Sequence, residues 1–247
     1  MRPHLIPVPD GGSLEFHGPP DARRMVVIVG RDAYFEDEGL IARAIAYFCA
    51  RGLGVIHYES AQAVTQRRIT PTQIRSWPRP ARLVIKTLLL LAQPSRWRHF
   101  SADPRTLAIS IPTRARTLAG VIRSLGRERE LFLFTRSAGG RLASLIADEC
   151  GVQRMTCLSY PFEHPAEGPD PARYAHLPSL RTPFLIIQGT RDDYGGIGIA
   201  NKYSLSPHTR LEWAEADHDF RIPENDWPPL LERVHRFLFD LDRIKQD

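Results

Sequence analysis

The stretch Leu131-Phe-Leu-Phe-Thr-Arg-Ser137-Ala-Gly-Gly-Arg-Leu-Ala-Ser-Leu-Ile146 constrains the fold more than any other part of the 247-residue sequence. Leu131 to Phe134 form an apolar run of strand length. The chain then turns through Arg136-Ser137-Ala138-Gly139-Gly140, and Leu142, Leu145 and Ile146 recur at helical spacing until Gly151 supplies a stop. A serine held between a buried strand and a helix has its hydroxyl lifted clear of the sheet. The start of the helix offers backbone N–H groups to a developing oxyanion. The pattern is that of a nucleophile elbow, G-x-S-x-G, with Thr135 in place of the first glycine. The competing reading is a serine in an ordinary strand–helix loop.

The rest of the chain fits an α/β frame around that stretch. His4–Val8 and Ser13–His17 read as a hairpin about Asp10-Gly11-Gly12. Met25–Val29 is a continuous apolar run, as expected of a strand buried on both faces. A helix over about 38–51 carries Leu40, Ile41, Ala44, Ile45 and Phe48 on one side, and Val55–Tyr58 is the next strand. Further on, the spacing predicts a helix over about 113–125 and strands at 155–159, 184–188 and 210–214. It also predicts a Pro-rich loop over 161–181 and a closing helix over about 228–242. Strand and helix alternate, so a mostly parallel sheet with right-handed crossovers and helices on both faces is expected.

Residues 60–105 interrupt this rhythm. They hold five prolines and nine Lys/Arg against one acid, a net +8, whereas the remainder, with 24 bases and 27 acids, carries −3. Ala81–Ala92 is a helix candidate apolar over most of its surface, flanked by Trp77, Trp97 and Phe100. The segment is too short to bury a good core alone, so the chain reads as one domain, 1–247, with 60–105 a cap-like insertion after the fourth strand. A cap would put Leu83, Val84, Leu88 and Leu91 around an acyl pocket. The other readings are an interfacial helix meeting anionic lipid through 75–100, nucleic-acid contact as the weakest, and a packing helix with a solvated basic face. Three scattered cysteines, Cys49, Cys150 and Cys157, show no metal-ligand spacing and read as reduced, with Cys49 and Cys157 in the core. With no apolar leader and no run long enough to span a bilayer, a cytoplasmic protein is expected. No metal and no cofactor is expected.

A serine nucleophile needs a base, and the base needs an orienting carboxylate. Gly189-Thr-Arg-Asp192-Asp193 follows one expected strand, and Glu215-Ala-Asp-His218-Asp-Phe220 follows the last. The order Ser137, Asp192, His218 is nucleophile, acid, base, each just past its own strand. Asp193 and Glu163 are rivals for the acid; His57, His164 and His176 lie near strand ends or in loops but lack the order.

The segments Thr135–Arg141, Ser159-Tyr-Pro161, Arg173-x-x-His176-Leu177, Gln188–Asp192 and Asp217–Phe220 resemble the α/β-hydrolase superfamily, and within it the small dienelactone-hydrolase-like branch. The resemblance covers roughly 25–58 and 106–243. It implies an α/β-hydrolase fold and a serine hydrolase acting on an ester or thioester. Ser137 would be nucleophile, Asp192 acid and His218 base. Oxyanion donors would come from the backbone N–H of Ala138 and from one in the loop after the third strand, Arg31 or else Asp32. Asp32, Tyr34, Arg136, Tyr160, His164 and Leu88 are the expected pocket residues, and a small acyl substrate is the expected partner. Where relatives often carry His-Gly-Ala-Gly or His-Gly-Gly, this chain has Gly30-Arg31-Asp32. The alternative is a non-catalytic protein of the same fold that binds an acidic ligand or partner through its basic insertion.

Overall fold

The computed structural model describes residues 4–8, 12–19, 21–31, 34–61, 63–64, 77–92, 94, 110–126 and 128–240. Strands β1 (His4–Pro7), β2 (Ser13–His17), β3 (Arg24–Val29) and β4 (Gly54–Glu59) come first, with helix α1 (Tyr34–Cys49) between β3 and β4. Helices α2 (Arg79–Leu91) and α3 (Ile111–Ser124) precede β5 (Glu130–Arg136). Two short helices, α4 (Ala138–Ser144) and α5 (Ala147–Cys150), lead to β6 (Arg154–Leu158). Then follow β7 (Glu163–His164), β8 (Gly168–Pro169), α6 (Pro171–Tyr174), β9 (Phe184–Gly189), β10 (Thr209–Ala214) and α7 (Trp227–Phe239).

Eight strands pair in the order β1-β2-β4-β3-β5-β6-β9-β10. β1 and β2 join antiparallel, β2 pairs antiparallel with β4, and the six strands from β4 to β10 run parallel. The period-2 alternation of each central strand sends its apolar residues to two separate cores. Met25, Val27, Leu131, Leu133, Met155, Phe184 and Ile186 meet Leu118, Val121, Ile122, Leu142 and Ile146 on one face. Val26, Ile28, Phe132, Phe134, Leu185 and Ile187 meet Leu40, Ala44, Phe48, Leu230, Val234 and Leu238 on the other. The α1 stripe is the one the spacing predicts, except that Ile45 is only half-buried. At the far edge β10 is only partly buried and carries Arg210 and Glu212, charges that discourage a ninth strand from pairing there.

Four local expectations are corrected. The helix after Ser137 is not continuous: Ile146, at φ −123°, breaks it into α4 and α5, and Leu145 is left 38% exposed instead of joining the buried stripe. Gly151, at φ 65°, does end α5 as a left-handed cap. Residues 161–181 are structured: β7 and β8 form a small antiparallel ladder, and Asp170 caps α6 by accepting from the Ala172 N–H at 3.0 Å. Cys49 is half-buried rather than core, while Cys157 is buried and its thiol is pushed up to about 12 by desolvation.

The fourth correction concerns the insertion. Its helix forms as α2, but Leu83, Val84, Leu88 and Leu91 are each more than half exposed, so Leu88 lines no closed pocket among the described residues. The hairpin turn at 9–11 and most of 62–109 outside α2 lie beyond the described residues, as does Leu241 at the expected end of the closing helix. Among the described residues no helix is long and apolar enough to cross a membrane.

Because β3 to β6, β9 and β10 are parallel, their carboxyl ends share one rim. Gly30-Arg31, Ser137, Ser159, Thr190–Asp192 and Glu215–His218 all leave the sheet there. In open α/β sheets that is the rim where sites are built.

Candidate active site

Ser137 joins β5 to α4 with φ 47° and ψ −119°, a conformation that a residue with a side chain adopts at a cost of about 1–3 kcal/mol. The glycines after it make the turn feasible. A Cβ on Gly139 would stand 2.1 Å from the Val29 carbonyl oxygen and 2.8 Å from that of Gly30, so the start of α4 presses directly on the end of β3. A Cβ on Gly140 would stand 2.3 Å from Cys157 Sγ and 3.2 Å from Thr135 Oγ1. The space that Gly140 leaves open is therefore the space that Thr135 and Cys157 fill. Thr135, fully buried, satisfies its hydroxyl by donating to the Thr156 carbonyl at 2.7 Å. The missing first glycine of the motif is compensated five residues further on, at Gly140.

Three side chains meet at this rim. Ser137 Oγ lies 2.9 Å from His218 Nε2, and His218 Nδ1 lies 2.8 Å from Asp192 Oδ1. All three residues are buried. A carboxylate can only accept, so Nδ1 carries the proton. Nε2 is then left as the acceptor for the Ser137 hydroxyl. Ala138 opens α4, so its N–H has no intrahelical acceptor and is available beside the hydroxyl. Arg31 follows β3, the strand whose last carbonyl touches α4 at Gly139.

The acid is held from several sides. The Tyr194 N–H donates to Asp192 Oδ1 at 2.8 Å, and Gln188 Nε2 donates to Oδ2 at 2.8 Å. Gln188 Nε2 also lies 2.9 Å from the Gly195 carbonyl and 3.1 Å from that of Tyr160, so one buried amide ties the acid loop to two neighbours. The Tyr194 ring stacks on the His218 imidazole at 4.1 Å between centroids and 28° between planes. Sequence reasoning missed Gln188 and Tyr194. The signals for Gln188 were a polar residue closing the apolar run Phe184–Ile187 and its place at the head of the Gln188–Asp192 segment; Tyr194 gave none.

The rivals are accounted for. Asp193 is exposed, Glu163 pairs with Lys202 at 2.6 Å, and His57 lies 3.7 Å from Glu15. His176 Nε2 lies 2.8 Å from Ser144 Oγ. Asp192, Asp193 and His218 offer ligand atoms within 4.8 Å of one another; Asp192 Oδ1 and His218 Nδ1 are bonded to each other, Oδ2 to Gln188 and Nε2 to Ser137.

Among the expected pocket residues, His164 sits at the outer edge of the site. Its ring meets Tyr194 edge-on at 5.8 Å, and Nδ1 accepts from the Ala166 and Glu167 N–H groups at 3.3 Å. Tyr160 does not line a pocket: its ring is fully buried against Phe162 and Phe184, and its hydroxyl donates to the Arg173 carbonyl at 2.6 Å. Arg136 does not line one either. Its guanidinium is buried, donates to the His218 carbonyl at 3.1 Å and faces Asp219 at 3.5 Å. Asp32 lies outside the described residues, and Tyr34 is the first residue of α1.

Several solved structures share this architecture at low identity. A structure described as an α/β serine hydrolase homologue from Coxiella burnetii is 15% identical, with a TM-score of 0.57, 96% of this chain and 98% of that one covered. A dienelactone hydrolase from Anabaena variabilis is also 15% identical at a TM-score of 0.57, with 96% and 97% covered. Mouse α/β-hydrolase domain-containing protein 10 is 12% identical at a TM-score of 0.60, with 98% and 100% covered. At such identities the likeness speaks to the fold. No curated protein sequence matches the chain significantly. The family profile described as "Alpha/beta hydrolase domain" matches residues 101–228, which carry α3, the elbow, Asp192 and His218. With just over half of its 247 residues matching that profile, the chain belongs to the α/β-hydrolase family.

Proposed function

We propose that the protein is a serine hydrolase of an ester or thioester, transferring the acyl group to water. The observation that carries this reading is the unbroken hydrogen-bonded line Ser137–His218–Asp192, at 2.9 and 2.8 Å, with the serine on a strained elbow. Ser137 Oγ attacks the carbonyl carbon while His218 Nε2 takes the hydroxyl proton. His218 then returns that proton to the leaving alcohol or thiol, and a water activated by the same imidazole hydrolyses the acyl-enzyme. Asp192 fixes the tautomer and stabilises the imidazolium. The N–H groups of Ala138 and Arg31 hold the oxyanion. The Tyr194 ring keeps the imidazole in its plane, and His164 stands where the substrate enters. The reading needs no cofactor or metal and treats 60–105 as a cap-like insertion in one domain. The test is labelling with a fluorophosphonate probe. The expected result is labelling of the wild type that is lost in Ser137→Ala and kept in Ser144→Ala. Absence of labelling in folded wild-type protein would sink the reading and favour a non-catalytic binding role for the same fold.

A further inference from the structure

Asp219, the neighbour of His218 in its loop, links three of the segments around Ser137 through arginine side chains. Asp219 Oδ1 accepts from Arg31 at 2.8 Å and faces Arg136 at 3.5 Å, and its Oδ2 accepts from Arg221 at 2.6 Å. Arg31 lies in the loop after β3, Arg136 is the last residue of β5, and Asp219 follows His218 directly. Arg136 also donates to the main-chain carbonyl of His218 itself. The side chains of Arg31 and Arg136 are only 12% and 1% exposed, so both guanidinium groups sit largely out of water and share one carboxylate. A buried charge left without its partner is strongly unfavourable, which makes the arrangement rigid rather than decorative.

We propose that Asp219 is a positioning residue that ties the oxyanion loop, through Arg31, to the elbow strand and to the loop carrying the base. The inference rests on the hydrolase reading above. It explains why this chain can carry a long charged residue at 31: the side chain is an anchor, leaving the backbone N–H of the same residue to face the oxyanion. An N–H group aimed at a developing charge must be held to within a fraction of an ångström, and Gly139 sets only one side of that contact. The brace supplies the other. Because it acts on the oxyanion donor and the base together, its loss falls on the chemical step and not on ground-state binding.

The experiment compares wild type, Asp219→Asn, Asp219→Glu, Arg31→Met and the Asp219→Asn/Arg31→Met double variant. Three quantities are read: hydrolysis of p-nitrophenyl acetate, the rate of fluorophosphonate labelling, and Tm. Each single neutral variant should lower kcat and the labelling rate about tenfold to a hundredfold, with KM changed less than about twofold. The double variant should be no slower than the worse single one, since both remove the same pair, and Asp219→Glu should recover most of the rate. If Asp219→Asn fails to fold, Arg31→Met gives the same reading alone, measured well below its Tm. Wild type labelled at Ser137 with Asp219→Asn equally fast would overturn the brace while leaving the hydrolase reading intact. A rise in KM at unchanged kcat, or losses that multiply in the double variant, would also overturn it, because Arg31 would then be binding substrate directly. No labelling of wild type at all would overturn both.

Discussion

Ser137 and Ser144 stand at the two ends of α4, and each has a histidine nitrogen within hydrogen-bonding reach, His218 Nε2 at 2.9 Å and His176 Nε2 at 2.8 Å. By distance the pairs are nearly the same. Ser137 has φ 47°, whereas Ser144 closes a regular helical turn and donates back to the Arg141 carbonyl at 3.1 Å. His218 has Asp192 on its other nitrogen. His176 is held mainly by burial, which lowers it from an ordinary 6.5 to about 4, and the Arg141 charge pushes the same way. A serine–histidine contact becomes a nucleophile and base only where a carboxylate stabilises the imidazolium and the backbone presents the hydroxyl. The second pair is a satisfied, part-buried structural hydrogen bond.

The sharpest way to break the comparison is to remove each hydroxyl in turn. Ser137→Ala should cost at least about 10⁴-fold in kcat, and Ser144→Ala less than about threefold, measured on an activated ester. Next in size, Asp192→Asn keeps the shape of the acid but presents the wrong tautomer to the base. It should lower kcat about 10³- to 10⁴-fold with little change in far-ultraviolet circular dichroism. Gln188→Met removes the donor to Asp192 Oδ2 and should cost about tenfold to a hundredfold, the worth of one charge-assisted hydrogen bond of about 1.5–3 kcal/mol. A loss below twofold in Gln188→Met would mean that Tyr194 and His218 suffice to hold Asp192.

The smallest effect concerns the silent pair and is read in stability. Between pH 6.5 and about 4 the unfolded chain protonates His176 and the folded one does not, so stability is full above pH 6.5 and declines as pH falls through that window. Tm should therefore drop by a few degrees across it, and His176→Gln should flatten the drop. Asp219 acts lower. Burial opposes its charge, but Arg31 with its hydrogen bond, Arg136 and Arg221 outweigh that and hold its carboxyl below the ordinary value of 3.8. Its contribution is present above pH 3.8 and is lost as pH falls further. A Tm curve flat from pH 8 to 4 would remove the claim that His176 stays neutral in the fold.

Most strands were legible because a two-sided sheet needs uninterrupted apolar runs, and Met25–Val29, Leu131–Phe134 and Phe184–Ile187 contain nothing else. The helix after Ser137 was less so. Leu142, Leu145 and Ile146 keep helical spacing, yet spacing carries no information about the backbone at Ile146 that breaks the helix and turns Leu145 outward. Tyr160 and Arg136 were misplaced for a related reason. Position at a strand end fixes which rim a residue reaches, but not whether its side chain turns to solvent or back into the core. For Tyr160, Phe162, Phe184 and the Arg173 carbonyl decide the matter; for Arg136, the His218 carbonyl and Asp219 do.

By itself the sequence determined the alternation of strand and helix and the turn at Ser137, along with the order in which Ser137, Asp192 and His218 leave the sheet. These depend on periodicity and local backbone preference, which are written residue by residue. Only the tertiary structure decided which histidine meets the hydroxyl and which carboxylate meets that histidine, what Gly140 makes room for, and that Arg31 bonds Asp219. Those contacts join residues as many as 188 positions apart, and their geometry exists only once the six parallel strands have brought their ends to one rim.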